Sequence, residues 1–410
     1  MKKVVEFEVL AEQGSARCAK MGFHRPNDFF FETPIFMPVA TQGSLKGLTP
    51  DQILSLPHSP PIILGNTYHL GTRPGPDLLD EAGGLHKWMN WPHGLLTDSG
   101  GFQMVSLSKL CQVTEEGVKF SAPHASGCEI LLKPEDSIHI QNSIGSNIAM
   151  MLDDVVPSLC DDEKRVEEAM HRTIRWLDRA IAAHKRKDDQ AIFAIVQGGL
   201  NQERRRFCAT EMVKRRDSLG GFAVGGLSGG EGKDIFWQSV KTSVSCLPRD
   251  MPRYCMGVGY ADDIAVCIAL GVDMFDCVFP TRTARFGTAL MFSGSENVSK
   301  WKNDERPVEE GCGCWTCTHM PRCSLFHIKD TPVCGQLLSL HNVEFQNRLT
   351  SYFRTAIKEG RLSQAEKAFF KGRYPNGDYP QWVVDALASE GIFLKEEENE
   401  NEEEGKQETE

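Results

Sequence analysis

Eight short apolar runs recur between Phe36 and Pro280, and nearly every one ends in glycine or a polar residue. They are Phe36–Thr41 (FMPVAT), Ile62–Thr67 (IILGNT), Leu95–Gly100 (LLTDSG), Ile148–Asp154 (IAMMLDD), Phe193–Gly199 (FAIVQGG), Phe222–Leu227 (FAVGGL), Cys255–Gly259 (CMGVG) and Met274–Pro280 (MFDCVFP). Unbroken apolar runs of this length suit strands buried on both faces, as in a parallel sheet. Helical stretches lie between them. Asp162–Lys185 sets Val166, Ala169, Met170, Thr173, Leu177 and Ile181 on one stripe, and Asn201–Arg216 and Ala261–Leu270 also read as helices. Eight β-then-α units over about 245 residues match the count and span of a (β/α)8 TIM barrel, an α/β fold. An open doubly wound sheet fits less well, since it usually has fewer strands and often a glycine-rich nucleotide fingerprint that is absent here. Residues 111–133, in the long gap between the third and fourth runs, read as a β-hairpin insertion.

The N-terminus, MKKVVEFEVL, alternates like a strand and lacks the apolar core of a signal peptide. No run of about 18 apolar residues occurs, so no membrane span is expected and the chain reads as cytoplasmic. The net charge of −11 is unevenly spread. Residues Glu396 to Glu410 hold nine glutamates and one lysine, leaving the body at −3, and residues 281–373 carry fourteen Lys/Arg against nine Asp/Glu. An acidic protein can therefore still bind a polyanion where its positive charge is concentrated. The acidic tail reads as a solvated end, with a partner-docking role as the alternative.

In a TIM barrel, chemistry sits at the carboxyl ends of the strands. Those ends carry Asn66, Asp98, Asp153, Gln197, Gly226, Gly257 with Gly259, and Asp276. One such carboxylate is easily explained as a helix cap; three at one mouth are not. Two carboxylates facing each other suit glycosidic chemistry, in which one attacks the anomeric carbon and the other moves the proton. Arg282 and Arg285, shortly after Asp276, suit a phosphate-bearing substrate. Together these features point to an N-glycosidic bond in a nucleic acid.

The chain has fourteen cysteines, most of them standing alone in apolar runs (Cys208, Cys246, Cys255, Cys267, Cys277), as reduced core thiols do. Residues 311–323, GCGCWTCTHMPRC, differ. Cys312, Cys314 and Cys317 form C-x-C-x2-C, a spacing that can wrap one tetrahedral zinc ion. Cys323, Cys334, His319, His327 and His341 are candidates for the fourth ligand. A site rich in thiolates is closed and structural, so this metal is not expected to take part in catalysis. The expected organisation is a catalytic barrel over residues 1–290, a zinc-binding subdomain with closing helices over 291–393, and the acidic tail over 394–410.

The segments TDSGGFQ, MMLDD, AIVQGG, AVGGLSGGEG, YCMGVG, FDCVFPTRTARFG and CGCWTC…SLHN, in that order, resemble the tRNA-guanine transglycosylases from about residue 7 to 370. The resemblance implies a TIM barrel with an appended zinc subdomain and a reaction that exchanges the wobble guanine of GUN-anticodon tRNAs for a deazaguanine base. It implies Asp276 as the nucleophile, forming a covalent ribosyl-enzyme, and Asp98 as the general acid/base. Asp153, Gln197 and Gly226 would read the base edge, with Asp98, Ser99, Gly100, Gly101, Phe102 and Leu227 in the same pocket and Phe102 and Met256 sandwiching the ring. Phe102 stands where many bacterial members have Tyr. The anticodon loop would be met by Gly257, Val258, Gly259, Tyr260, Ala261, Asp262 and Asp263, and by Thr281, Arg282, Thr283, Ala284 and Arg285. The zinc ligands would be Cys312, Cys314, Cys317 and His341.

Within that family the chain is similar to the eukaryotic branch. Ser228 and Gly229 replace the Ala and Val typical of bacterial members, and Val155 stands where many carry Cys. A glycine at 229 implies room for queuine, whose cyclopentenediol arm is large. Eukaryotic members pair with a non-catalytic paralogue, in the cytoplasm and at the outer mitochondrial membrane. Retention of Asp98 and Asp276 implies that this chain is the catalytic half of such a heterodimer, not the non-catalytic RNA-binding one. A carboxylate-pair glycosidase would leave the basic segment and the cysteine cluster unexplained, and no His-x-His follows the first run to support a zinc hydrolase.

Overall fold

A computed structural model describes residues 4–24, 28–101, 112–121 and 129–395. Phe102, part of the insertion and nearly all of the acidic tail lie outside them.

A strand forms at each of the eight runs, at the seventh through Cys255 alone: β1 (Ile35–Pro38), β2 (Ile62–Asn66), β3 (Gly94–Asp98), β4 (Ile148–Met150), β5 (Ala191–Val196), β6 (Gly221–Val224), β7 (Arg253–Cys255) and β8 (Met274–Cys277). They pair in parallel in the order β1-β8-β7-β6-β5-β4-β3-β2, and a parallel bridge between Val39 and Leu64 joins the two ends into a barrel. Every residue of β5 is buried, the condition that makes such strands read as unbroken apolar runs. The seventh strand begins earlier than its apolar run suggests. Arg253 and Tyr254 belong to it and bury polar groups by pairing them: Arg253 donates to the Leu247 and Gly271 carbonyls, and Tyr254 donates to Asp276.

The expected helices form at Glu163–Ala183, Gln202–Val213 and Ala261–Ala269, with Asp162 and Asn201 capping the first two. Across the amino end of the barrel lies an antiparallel sheet of Val5–Gln13, Ala16–Phe23 and Phe29–Thr33. Val5 and Phe23 seat this sheet so closely that a Cβ on Gly220 or Gly94 would lie 3.1 or 3.2 Å from them. The insertion is larger than a hairpin, with three antiparallel strands at Gln112–Val113, Val118–Ser121 and Glu129–Leu132. Val118, Phe120 and Leu132 attach it to the core, while Trp176 and Arg179 donate to the Glu115 carbonyl.

After the barrel, a hairpin (Thr288–Met291, Gly294–Asn297) leads to the cysteine cluster and then to the 27-residue helix Pro332–Lys358. Cys312, Cys314 and Cys317 share a buried cluster with Ile63 and Leu95 of the barrel. Further along the same helix, Phe345, Leu349 and Phe353 pack with Phe36 and Phe275. Helices Leu362–Arg373 and Gln381–Ala388 complete that layer. No helix among the described residues is long and apolar enough to cross a membrane.

Candidate active site and metal centre

The strand ends bring the expected carboxylates to one rim. Asn66 and Asp98 are register partners at the ends of β2 and β3, and the Asn66 amide donates to Asp98 Oδ2 at 2.8 Å. Asp98 Oδ1 accepts from the backbone N–H groups of Thr67 (3.3 Å) and Gly100 (3.1 Å). The turn that delivers the second donor needs glycine at 100: its φ is +80°, and a Cβ would lie 2.8 Å from the Tyr68 nitrogen. Burial, and then the nearby charge of Asp276, push the Asp98 carboxyl up to about 7 against these three bonds.

Among the described residues, Asp276, near the end of β8, accepts on one oxygen only. Its Oδ1 receives the Tyr254 hydroxyl at 2.5 Å and the Gly257 N–H at 2.8 Å. Burial raises its carboxyl, and these two donors oppose the rise. Tyr254 and Gly257 as partners of Asp276 were not anticipated from sequence. Tyr254 looks like an ordinary core aromatic there, and its signal is strand alternation, which turns it toward the same interior as Asp276.

A second group of polar side chains centres on Asp153 and Gln197. Gln197 donates to Asp153 Oδ2 at 2.7 Å, and burial pushes the Asp153 carboxyl up to about 6 against that bond. Gly226, with φ +69°, lies so close to Gln197 that a Cβ would sit 2.3 Å from its Oε1. Met256 flanks the same place, with its sulfur 3.7 Å from where a Gly225 Cβ would be. Ser99 and Gly101 are buried, and Gly101 lies beside Leu152 and Asp153; Leu227 is half-buried. The loop after β6 is held by Glu231, which accepts from the N–H groups of Ser228 (2.5 Å) and Gly229 (2.9 Å). A Cβ on Gly229 would lie 2.5 Å from the Ser158 hydroxyl, so glycine lets the loops after β4 and β6 meet.

The expected RNA-facing segments divide by exposure. Gly257, Tyr260, Arg282 and Arg285 are exposed, and Thr283 and Asp262 are intermediate. Val258, Gly259, Ala261, Asp263, Thr281 and Ala284 are buried. Asp263 pairs with Lys233 at 2.6 Å, and Asp262 accepts from the Tyr374 hydroxyl at 2.7 Å.

Cys312, Cys314, Cys317 and His341 are all buried, with ligand atoms within 4.8 Å of one another. The three sulfurs lie 3.7, 3.7 and 3.3 Å from His341 Nδ1. Ligands about 2.0–2.3 Å from one tetrahedral ion would stand roughly 3.5–3.8 Å apart, so the set fits a metal such as zinc. His341 Nε2 donates to the Leu290 carbonyl at 2.8 Å, which turns the lone pair of Nδ1 toward the sulfurs. Of the other candidates, Cys334 faces the Leu325 carbonyl and His319 stacks on Trp315.

The profile of a family described as queuine tRNA-ribosyltransferase matches residues 12–375. A queuine tRNA-ribosyltransferase catalytic subunit of Schizosaccharomyces pombe is 48% identical over 405 residues, spanning 95% of this chain and 98% of that protein. The corresponding protein of Caenorhabditis elegans is 47% identical over 409 residues, 95% of this chain and 100% of its own. A queuine tRNA-ribosyltransferase of Thermus thermophilus is 42% identical over 389 residues, 94% of this chain and 98% of its own.

Proposed function

Because the chain belongs to the queuine tRNA-ribosyltransferase family, and is a tRNA-guanine transglycosylase, we propose that Asp276 and Asp98 carry out the base exchange. The observation that carries this reading is the pair of carboxylates at the ends of β3 and β8, one of them coupled to the other's charge. Asp276 attacks C1′ of the wobble ribose and holds the tRNA as an ester. Asp98, with its carboxyl raised to about 7, is protonated often enough near neutrality to give a proton to the departing guanine. As the resulting carboxylate it takes the proton of the incoming queuine.

Asp153 suits the N1–H and N2–H2 donors of guanine or queuine, and the amide of Gln197 with the Gly226 N–H suits O6. Met256 and Phe102 stack on the ring. Gly257, Tyr260, Arg282 and Arg285 meet the anticodon loop. Gly229 admits queuine by keeping side-chain volume away from the exocyclic group of the incoming base. Zn2+, held by Cys312, Cys314, Cys317 and His341, supplies structure and no chemistry.

The domain division at 1–290, 291–393 and 394–410 belongs to this reading, with the tail as a solvated end. So do a heterodimer with a non-catalytic paralogue and a place in the cytoplasm and on the outer mitochondrial membrane. The retained aspartates favour the catalytic half of that pair, as do relatives named catalytic subunits. The test is a covalent tRNA adduct on denaturing gels. We expect Asp276→Ala to lose both the adduct and the exchange of labelled guanine, and a variant that kept full exchange would remove Asp276 from the role.

A further inference from the structure

We propose that Tyr254 is a positioning residue that sets the balance of Asp276 between free carboxylate and sugar ester, by donating a hydrogen bond to its Oδ1. The inference rests on the reading of Asp276 as nucleophile and adds to it. Tyr254 is 1% exposed, and its hydroxyl lies 2.5 Å from Asp276 Oδ1. The Gly257 N–H lies 2.8 Å from the same oxygen. Both donors that Asp276 has among the described residues lie on Oδ1, which leaves Oδ2 to attack.

The two half-reactions place different charges on that carboxyl. In the first, a lone pair of Oδ2 forms the bond to C1′ as the C1′–N9 bond breaks. The electron pair of that bond leaves with guanine, which takes the proton of Asp98. Asp276 has then exchanged its negative charge for a neutral ester, and Asp98 has become the anion. In the second, the incoming base gives its N9 proton to Asp98 and its N9 pair forms the new bond to C1′. The C1′–Oδ2 pair returns to Asp276, which is a carboxylate again.

A hydrogen bond to an ionised acceptor is roughly twice as strong as one to a neutral acceptor. The Tyr254 hydroxyl therefore stabilises free Asp276 more than the ester. It makes Asp276 a better leaving group and a weaker nucleophile, and so keeps the covalent tRNA from accumulating. A residue that merely filled space would alter rate or folding without favouring the adduct.

The measurement is the ratio of trapped adduct to free enzyme at fixed tRNA and guanine, alongside the exchange rate. In Tyr254→Phe the ratio is expected to rise about 5- to 10-fold while exchange slows, from the difference between a charged and a neutral acceptor. Replacing Tyr254 by a fluorotyrosine, which keeps the ring and strengthens the donor, is expected to lower the ratio. A ratio that is unchanged or moves the other way, with the wild-type adduct intact, overturns the proposal and leaves Asp276 in place. A wild type that forms no adduct overturns the nucleophile reading itself.

Discussion

Asp98 shows how a site residue can work against folding. Its carboxyl is raised to about 7 by burial and by Asp276, whereas an unfolded aspartate titrates near 4. Between those values the native state holds more protons than the unfolded one. The stability linked to this group is therefore fully present below about pH 4 and is lost as pH rises through about 7. Because the residue is partly open to solvent, the cost above that window is roughly 1–2 kcal/mol. Asp98→Asn is expected to abolish exchange, to raise the melting midpoint near pH 8 and to leave it almost unchanged near pH 4. Equal stabilisation at both pH values would locate the effect in packing instead of charge. The residues of this site were legible to different degrees. Asp98, Asp153, Gln197 and Asp276 stood out because polar groups that close apolar runs lie where a barrel opens. Tyr254 and Glu231 did not, since each acts through a hydrogen bond to a segment distant along the chain or to a backbone turn, which no spacing reveals.

Among the elements, the helix Pro332–Lys358 ties the appended region to the barrel rim. His341 enters the cysteine cluster, and Asn342 donates to the carbonyls of Pro280 and Thr288 while accepting from the Leu290 N–H. One turn later Gln346 donates to the Gly259 carbonyl at 2.6 Å. The Cys3His cluster, the helix and the loops after β7 and β8 thus form one chain of bonds. An ion held by that cluster would be the shared partner of three buried thiols and an imidazole, and its removal would leave them without one. We expect a strong chelator to release one zinc per chain, and to lower the melting midpoint by the equivalent of at least ~3 kcal/mol. Hydrogen exchange is expected to quicken first in this helix and in residues 257–260, and last in β5. His341→Ala is expected to reproduce the pattern without chelator. A midpoint indifferent to chelation would mean that the cluster is not a metal centre. The barrel strands were legible because strands covered on both faces are written as apolar runs. The start of β7 was hidden, since Arg253 and Tyr254 are polar and their partners lie on other elements. The third strand of the insertion, Glu129–Leu132, is not legible in the sequence, because seven residues of no clear pattern separate it from the second.

For the molecule as a whole, the question is how a chain of net charge −11 holds a polyanion at the open end of its barrel. Many cations near that rim are already engaged. Arg165 and Arg172 both pair with Asp154, Arg204 pairs with Glu163, and Lys233 pairs with Asp263. Arg282 and Arg285 differ: both are exposed, on the segment that follows Asp276, and neither has an ion pair among the described residues. A guanidinium that gives up no existing partner contributes its full charge to a phosphate, and each phosphate contact to a single strand changes the salt slope of binding by about 0.7. Binding of an anticodon stem-loop, followed by anisotropy from low to moderate salt, is therefore expected to lose about 0.7 in log–log slope in Arg282→Ala or Arg285→Ala. The double variant is expected to lose about 1.4. Arg172→Ala is expected to leave the slope alone, because its charge is spent on Asp154, and to act instead through the Asp153 loop on base recognition. If Arg172→Ala lowered the slope as much as Arg285→Ala, the attraction would come from the summed field of the body. The local pair of arginines on the segment after Asp276 would then not be what holds the RNA.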